Sequence, residues 1–197
     1  GNSFANIYVP SEGKWDGPIF ANELEYEHQQ LLDTLSQRPE IEWIAYRRHD
    51  RAIKIVTHSG IAHLGREGES YTYVYDGLDP LRLHLTHTTI HKSDALELTM
   101  ETQFPDALEQ IWYLFSSQRT GDIVVTSKPG YDLRDRRELP EHHSSHGSLC
   151  REHMMVPIVS NRTLSSERPV RTVDIFPTVI DSLGLTPSKP QFGHSLW

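Results

Sequence analysis

The stretch Asp122-Ile-Val-Val-Thr-Ser127 decides the fold. Three β-branched apolar residues follow one another without alternation. A strand built from them needs cover on both faces. That pattern predicts a strand of a parallel sheet lying under helices, and it sets the class as α/β. Pro129-Gly130 breaks the segment and Gly121 precedes it. If part of that sheet lies outside this chain, the strand is left with an open edge and a bare apolar face. The expected consequence is self-association.

Working outward, the segment upstream is a helix over 105–116. Leu108, Ile111, Trp112 and Phe115 follow helical spacing, and Pro105 sits where its missing N–H does no harm. Downstream, 131–140 is a charged loop carrying Asp132, Arg134, Asp135 and Arg136, read as solvated. It leads into Glu141-His-His-Ser-Ser-His-Gly-Ser-Leu-Cys-Arg-Glu-His-Met-Met-Val-Pro157. A strand is predicted at 155–160 and a last helix at 174–183. That helix takes Asp174 as N-cap, Pro177 in its first turn, and Ile175, Phe176, Val179, Ile180 and Leu183 as its apolar face. Gly184 ends it. The tail from Thr186 to Trp197 is read as surface.

The first half of the chain has a different character. A strand at 4–9 precedes a loop with Gly13, Gly17 and Pro18. A helix over 22–37 follows, with Leu24, His28, Leu31, Leu32 and Leu35 on one face. His28 reads as a boundary residue. Short strands at 41–46, 52–57, 61–64 and 71–75, separated by turn residues, predict an antiparallel meander. Trp43, Tyr71, Tyr73 and Tyr75 are read as cross-strand packing, with a binding face as the alternative. His84, His87 and His91 have helical metal spacing, but the intervening threonines favour extended chain. A short helix is predicted at 94–101. The chain thus reads as one partial domain over 1–197. Residues 20–92 are an α+β insert, and 93–197 are an α/β core segment carrying the His-Gly loop.

Composition removes several functions. A formal net charge of -8 disfavours nucleic-acid binding through a basic patch. The single cysteine, Cys150, rules out an internal disulfide and a cysteine zinc ribbon. No apolar run approaches the roughly 18 residues of a membrane span. No oxidising compartment is required, and the cytoplasm is favoured. The first residue is Gly rather than Met, so further sequence is expected to precede it.

Four histidines, His142, His143, His146 and His153, crowd the loop. Neutral imidazole is a good zinc ligand, and a Gly after His146 lets the backbone pass close to a site. Their spacing matches no compact local site, so carboxylates would have to come from elsewhere; His146 is a candidate metal ligand, with a hydrogen-bonded loop histidine as the alternative reading. His153 is read as an anchor of the loop, with a second-sphere role as the alternative. His142 and His143 are read as exposed, and Cys150 as a small buried residue.

Three ordered segments resemble a known family. They are Gly121-Asp-Ile-Val-Val-Thr-Ser127, Ser145-His-Gly-Ser-Leu-Cys-Arg-Glu-His-Met-Met-Val-Pro157 and Arg171-Thr-Val-Asp-Ile-Phe-Pro-Thr-Val-Ile-Asp-Ser-Leu-Gly-Leu185. Together they are similar to the C-terminal part of the alkaline phosphatase superfamily, closest to its type I phosphodiesterase/nucleotide pyrophosphatase branch. The opening Gly1-Asn-Ser-Phe-Ala-Asn-Ile-Tyr-Val9 resembles the segment that follows the Asp-His-Gly metal motif of such proteins. Gly193-His-Ser-Leu196 resembles the Gly-x-Ser-Leu ending of sulfatase-like relatives.

The resemblance implies a core sheet with divalent metals, commonly zinc, at its strand ends. It also implies a Ser or Thr nucleophile acting on phosphate esters, His146 as a metal ligand, and residues 20–92 as a cap over the substrate. The family's early Asp, its nucleophile, its Asp-x-x-x-His pair and its Asp-His-Gly motif have no match in this chain. The expectation is therefore the C-terminal part of a hydrolase that is inactive alone and does not hold zinc stably by itself. The alternatives are a non-catalytic binding or scaffold module using 41–75 as its face, and a self-contained metal protein using His142–His146.

Overall fold

The computed structural model describes residues 3–10, 13–134, 144–187, 189 and 192–197. Its elements are β1 (Phe4–Ile7), α1 (Ala21–Glu27), α2 (Gln29–Gln37), β2 (Ile41–Arg47), β3 (Ile53–Val56), β4 (Gly60–Glu67) and β5 (Ser70–Gly77). They continue with β6 (Thr89–His91), α3 (Lys92–Thr99), α4 (Ala107–Ser116), β7 (Ile123–Ser127), α5 (Arg151–Met154) and α6 (Ile175–Ser182). The chain is α/β, with one seven-stranded sheet in the order β1-β7-β2-β3-β4-β5-β6. It divides into two compact units, residues 1–155 and 156–197. That division falls at 155/156, not at 92/93, and the 41–77 meander belongs to the same sheet as β7.

In the first unit, β7 is buried at every residue, as its composition requires. Its neighbours correct the parallel expectation. β7 runs antiparallel to β1, with Phe4 opposite Thr126, and antiparallel to β2, with Ala45 opposite Val124. Double-sided burial needs only a layer on each face, whatever the strand direction. Val124 faces the cluster of Ile111, Leu108, Tyr71 and Phe104, whereas Ile123 and Val125 face Leu24, Leu32 and Ile44. The open edge expected at 122–127 is absent, because β7 is interior and the sheet ends at β1 and β6.

The meander forms as its alternation predicts. Ile53, Ile55, Ala62, Leu64, Tyr71 and Tyr73 all point into one core. Trp43, Tyr71 and Tyr73 are buried there, so these rings are packing groups and not an exposed face; Tyr75 alone of the four is exposed. The helix expected over 22–37 is broken at His28, which leaves helical geometry at φ -126° and ψ 23°. Leu24 and Leu32 are eight residues apart, so a straight helix would turn them about 80° away from each other. The break lets both reach the sheet. His91 closes β6, and its side chain accepts from the Ser93 N–H to cap α3. His84 and His87 are exposed, and the three histidines form no metal face.

In the second unit, 155–160 is not a strand. Among the described residues nothing pairs with it, and Val159 is 91% exposed. Pro157 has no N–H to give to a ladder, and strand-forming residues without a ladder partner stay solvated. A 3₁₀ turn, Thr172–Asp174, leads into α6. Asp174 does not cap α6 with its side chain as expected. Its buried carboxylate instead accepts from Arg168 at 2.9 Å, from the Arg171 N–H at 2.8 Å and from the His194 N–H at 2.9 Å. Burial alone would raise the pKa of this carboxyl. The Arg168 guanidinium and the two N–H donors outweigh burial and hold it below the usual Asp value.

The C-terminal segment is also not simply surface. Leu196 is buried, its N–H donates to Thr178 Oγ1 at 3.0 Å, and the Trp197 indole donates to the Thr178 carbonyl at 2.8 Å. Gly193 has φ 86°, and a Cβ there would meet the Val173 carbonyl oxygen at 2.4 Å, so the Gly-His-Ser-Leu turn requires glycine. Ile175, Phe176, Val179 and Leu183 are exposed, so the apolar face of α6 points outward. Among the described residues no helix is long and apolar enough to cross a membrane.

Candidate functional site

His146 lies in the loop between β7 and α5. It is exposed, and among the described residues no hydrogen bond engages its ring. Its backbone is held firmly. The Ser3 N–H donates to the His146 carbonyl at 3.1 Å, and the Ser3 and Ser145 hydroxyls meet at 2.5 Å. The Ser3 carbonyl accepts from the Ser127 N–H at 3.1 Å. The start of β1, the end of β7 and the His146 loop therefore meet at one corner of the sheet. Gly147 follows with φ 96°, a conformation that glycine adopts without strain.

The rest of the loop is tied down by its own polar groups. Ser148 is buried, and its hydroxyl meets His153 Nδ1 at 2.9 Å and Cys150 Sγ at 2.9 Å. The Ser148 N–H also points at His153 Nδ1, at 3.4 Å. His153 is thus the anchor of the loop, as its sequence position suggested. Cys150 is buried in the core, as expected of a small free cysteine. Arg151 fixes the far end by bonding the Met100 carbonyl and reaching Glu101 at 3.3 Å.

Beside Gly147 a cleft of about 210 Å³ opens between the sheet and α4. Phe4, Trp43, Leu114 and Leu149 make it apolar, and Gln110 adds an amide. Trp43 and Thr126 are opposite each other in the β2–β7 register, so they share a face. On that face the Trp43 indole N–H and the Thr126 hydroxyl are buried without a hydrogen-bond partner among the described residues.

Among the described residues of the histidine loop, His146 has a ring without a hydrogen bond, whereas His153 is engaged by Ser148. His142 and His143 lie outside the described residues, as do Asp135 and Arg136 of the charged loop. Asp132 and Arg134 face each other at 3.4 Å. Among the described residues no group of three or more His, Cys, Asp or Glu side chains comes together to hold a metal ion.

Sequence reasoning singled out His146 and His153 as candidates but gave no sign of the Ser3–Ser145 contact. The two serines are 142 positions apart, and no spacing rule connects them. No family model, no curated protein and no solved structure matches the chain.

Proposed function

We propose that this chain is the C-terminal part of a metal-dependent hydrolase of phosphate esters, of the phosphodiesterase/nucleotide pyrophosphatase kind, and that it is inactive alone. The observation that supports this reading is the corner formed by Ser3, Ser145 and His146. In the family that the sequence resembles, the segment like residues 1–9 follows an Asp-His-Gly metal motif. Residues preceding Gly1 would then emerge beside a free, exposed imidazole. An orphan ligand and the entry point of the missing ligands coincide.

In this reading His146 gives one nitrogen to a divalent metal, zinc by the chemistry of the donor. When bound, such a metal lowers the pKa of a hydroxyl nucleophile and neutralises charge on the ester oxygens. The chain's own residues do the positioning. Ser3 and Ser145 fix the loop backbone, and the Ser148–His153 pair fixes its far side. The apolar cleft at Gly147 takes the carbon side of the ester.

The test joins this chain to the coding segment that precedes it and measures zinc-dependent hydrolysis of bis(p-nitrophenyl) phosphate. The joined protein is expected to turn over. His146→Ala is expected to lower that rate by at least about 100-fold, at or beyond the upper end of the loss from removing a ligand's outer-sphere support. Residues 1–197 alone are expected to be silent. Robust turnover by the chain alone would sink the proposal.

A further inference from the structure

A second cavity, of about 240 Å³, lies at the other end of β2. His146 and Ser3 sit near the Ile41 end, whereas this cavity sits at Arg47, about 20 Å along the strand. Its walls combine guanidinium groups with flat rings: Arg47, Arg48 and Arg51 with Phe20, Trp112 and Phe115. This occurs in a chain of net charge -8, where acids outnumber bases.

The three arginines differ in how they are used. Arg48 is paired with Asp50 at 2.8 Å and meets His63 Nδ1 at 2.9 Å. Arg47 is half-buried and has no carboxylate partner among the described residues. It donates to the carbonyls of Ser117 at 2.6 Å, Gly121 at 3.1 Å and Thr120 at 3.3 Å, and lies over the Phe115 ring at 5.1 Å. The acid acting on it, Asp122, directs its oxygens to the N–H groups of Val9, Trp15 and Ile19 and makes no direct bond to the guanidinium. Carbonyl oxygens solvate a guanidinium but do not neutralise it.

Arg51 stands in the β2–β3 turn with φ 65°, exposed and without an ion pair among the described residues. Phe20 is stacked on His49 at 4.5 Å, which stiffens its ring. Two guanidiniums without an ion-pair bond of their own among the described residues thus line a slot with aromatic sides.

We infer that this cavity is a binding site for a small oxyanion carried on a flat ring, such as an aryl phosphate, phosphonate or carboxylate. The cavity supplies what such a ligand needs. Guanidinium forks bond oxyanions with directed, charge-assisted hydrogen bonds. Phe20, Trp112 and Phe115 take the ring, and Arg47, already fixed over Phe115, is oriented before the ligand arrives. The volume falls below the range of drug-sized pockets, which limits the ligand to about one ring and one anionic group. The site is independent of the His146 corner and stands whether or not that corner belongs to a hydrolase.

Calorimetric titration of residues 1–197 with phenylphosphonate, which is not hydrolysed, tests this. One saturable site is expected, with inorganic phosphate and benzyl alcohol each at least about tenfold weaker because each lacks one half of the recognition. Arg51→Gly is expected to weaken phenylphosphonate about tenfold while leaving the circular dichroism unchanged, because glycine suits the positive φ. Arg51→Lys is expected to retain more affinity than Arg51→Gly, since it keeps the charge. No saturable binding, equal affinity in Arg51→Gly, or inorganic phosphate binding as tightly as phenylphosphonate would overturn the inference.

Discussion

The two units of this chain keep their shape by different means. The first, residues 1–155, is a sheet with apolar layers on both faces; Ile111, Leu64 and Ile123 are wholly buried in it. The second, residues 156–197, leaves most of its large apolar side chains exposed, Leu196 excepted. Val159 is 91% exposed and Phe176 is 56% exposed. What organises the second unit is polar: one buried carboxylate, Asp174, gathers Arg168, Arg171 and His194, and Thr178 gathers Leu196 and Trp197. Burial of area stabilises a sheet in proportion to its size. A polar hub stabilises a short segment through a few directed bonds, and it fails when one acceptor is lost.

The largest expected effect breaks the first kind of support. Ile111→Ala removes a fully buried side chain between α4 and the sheet and should cost about 2–5 kcal/mol, read by denaturant unfolding. A cost below about 1 kcal/mol would mean that the core is not the main support of that unit.

The middle effect breaks the hub. Asp174→Asn should destabilise residues 172–197 by about 2 kcal/mol, less than for a fully buried ion pair because Arg168 stays partly in water. Amide hydrogen exchange should rise in that segment and stay low in the β2–β7 ladder. The same carboxyl sets a pH dependence. Its folded pKa is depressed, so its contribution is fully present above the ordinary Asp value of 3.8 and is lost as pH falls through the lower folded value. Exchange measured while lowering pH from 5 towards 3, corrected for intrinsic rates, should therefore show 172–197 loosening first. Protection that is flat across this range would contradict the hub.

The smallest effect sharpens the contrast. Phe176→Ser on the outward face of α6 should change stability by no more than about 0.5 kcal/mol. It should also reduce any concentration-dependent association, because this exposed surface replaces the β7 edge as the place where self-association would begin. A cost well above 1 kcal/mol in a dilute sample would mean that the face is covered.

Much of the first unit was legible in the sequence. The meander follows from alternation in 41–75 broken by turn residues, and α4 follows from the spacing of Leu108, Ile111, Trp112 and Phe115. The direction of β7 was not legible, because Ile123, Val124 and Val125 look the same beside parallel or antiparallel neighbours. Nor was the break at His28, which carries no glycine or proline to announce it. The run Val156–Val159 has strand propensity, but a strand exists only with a partner, and propensity does not supply one. At the candidate site, the residue type and its glycine exposed His146, whereas the Ser3–Ser145 contact depends on the sheet's closure. The arginine cavity was equally hidden. It draws on Phe20, the β2–β3 turn and α4, and no local pattern in the sequence joins them.

The central claim is that His146 is one ligand of a centre completed by residues preceding this chain. Reading the coding sequence immediately upstream of Gly1 tests it most directly. The account predicts an in-frame segment with a Ser or Thr nucleophile and an Asp-His-Gly motif ending at the start of β1. A start codon adjacent to Asn2, with no such segment, would contradict it.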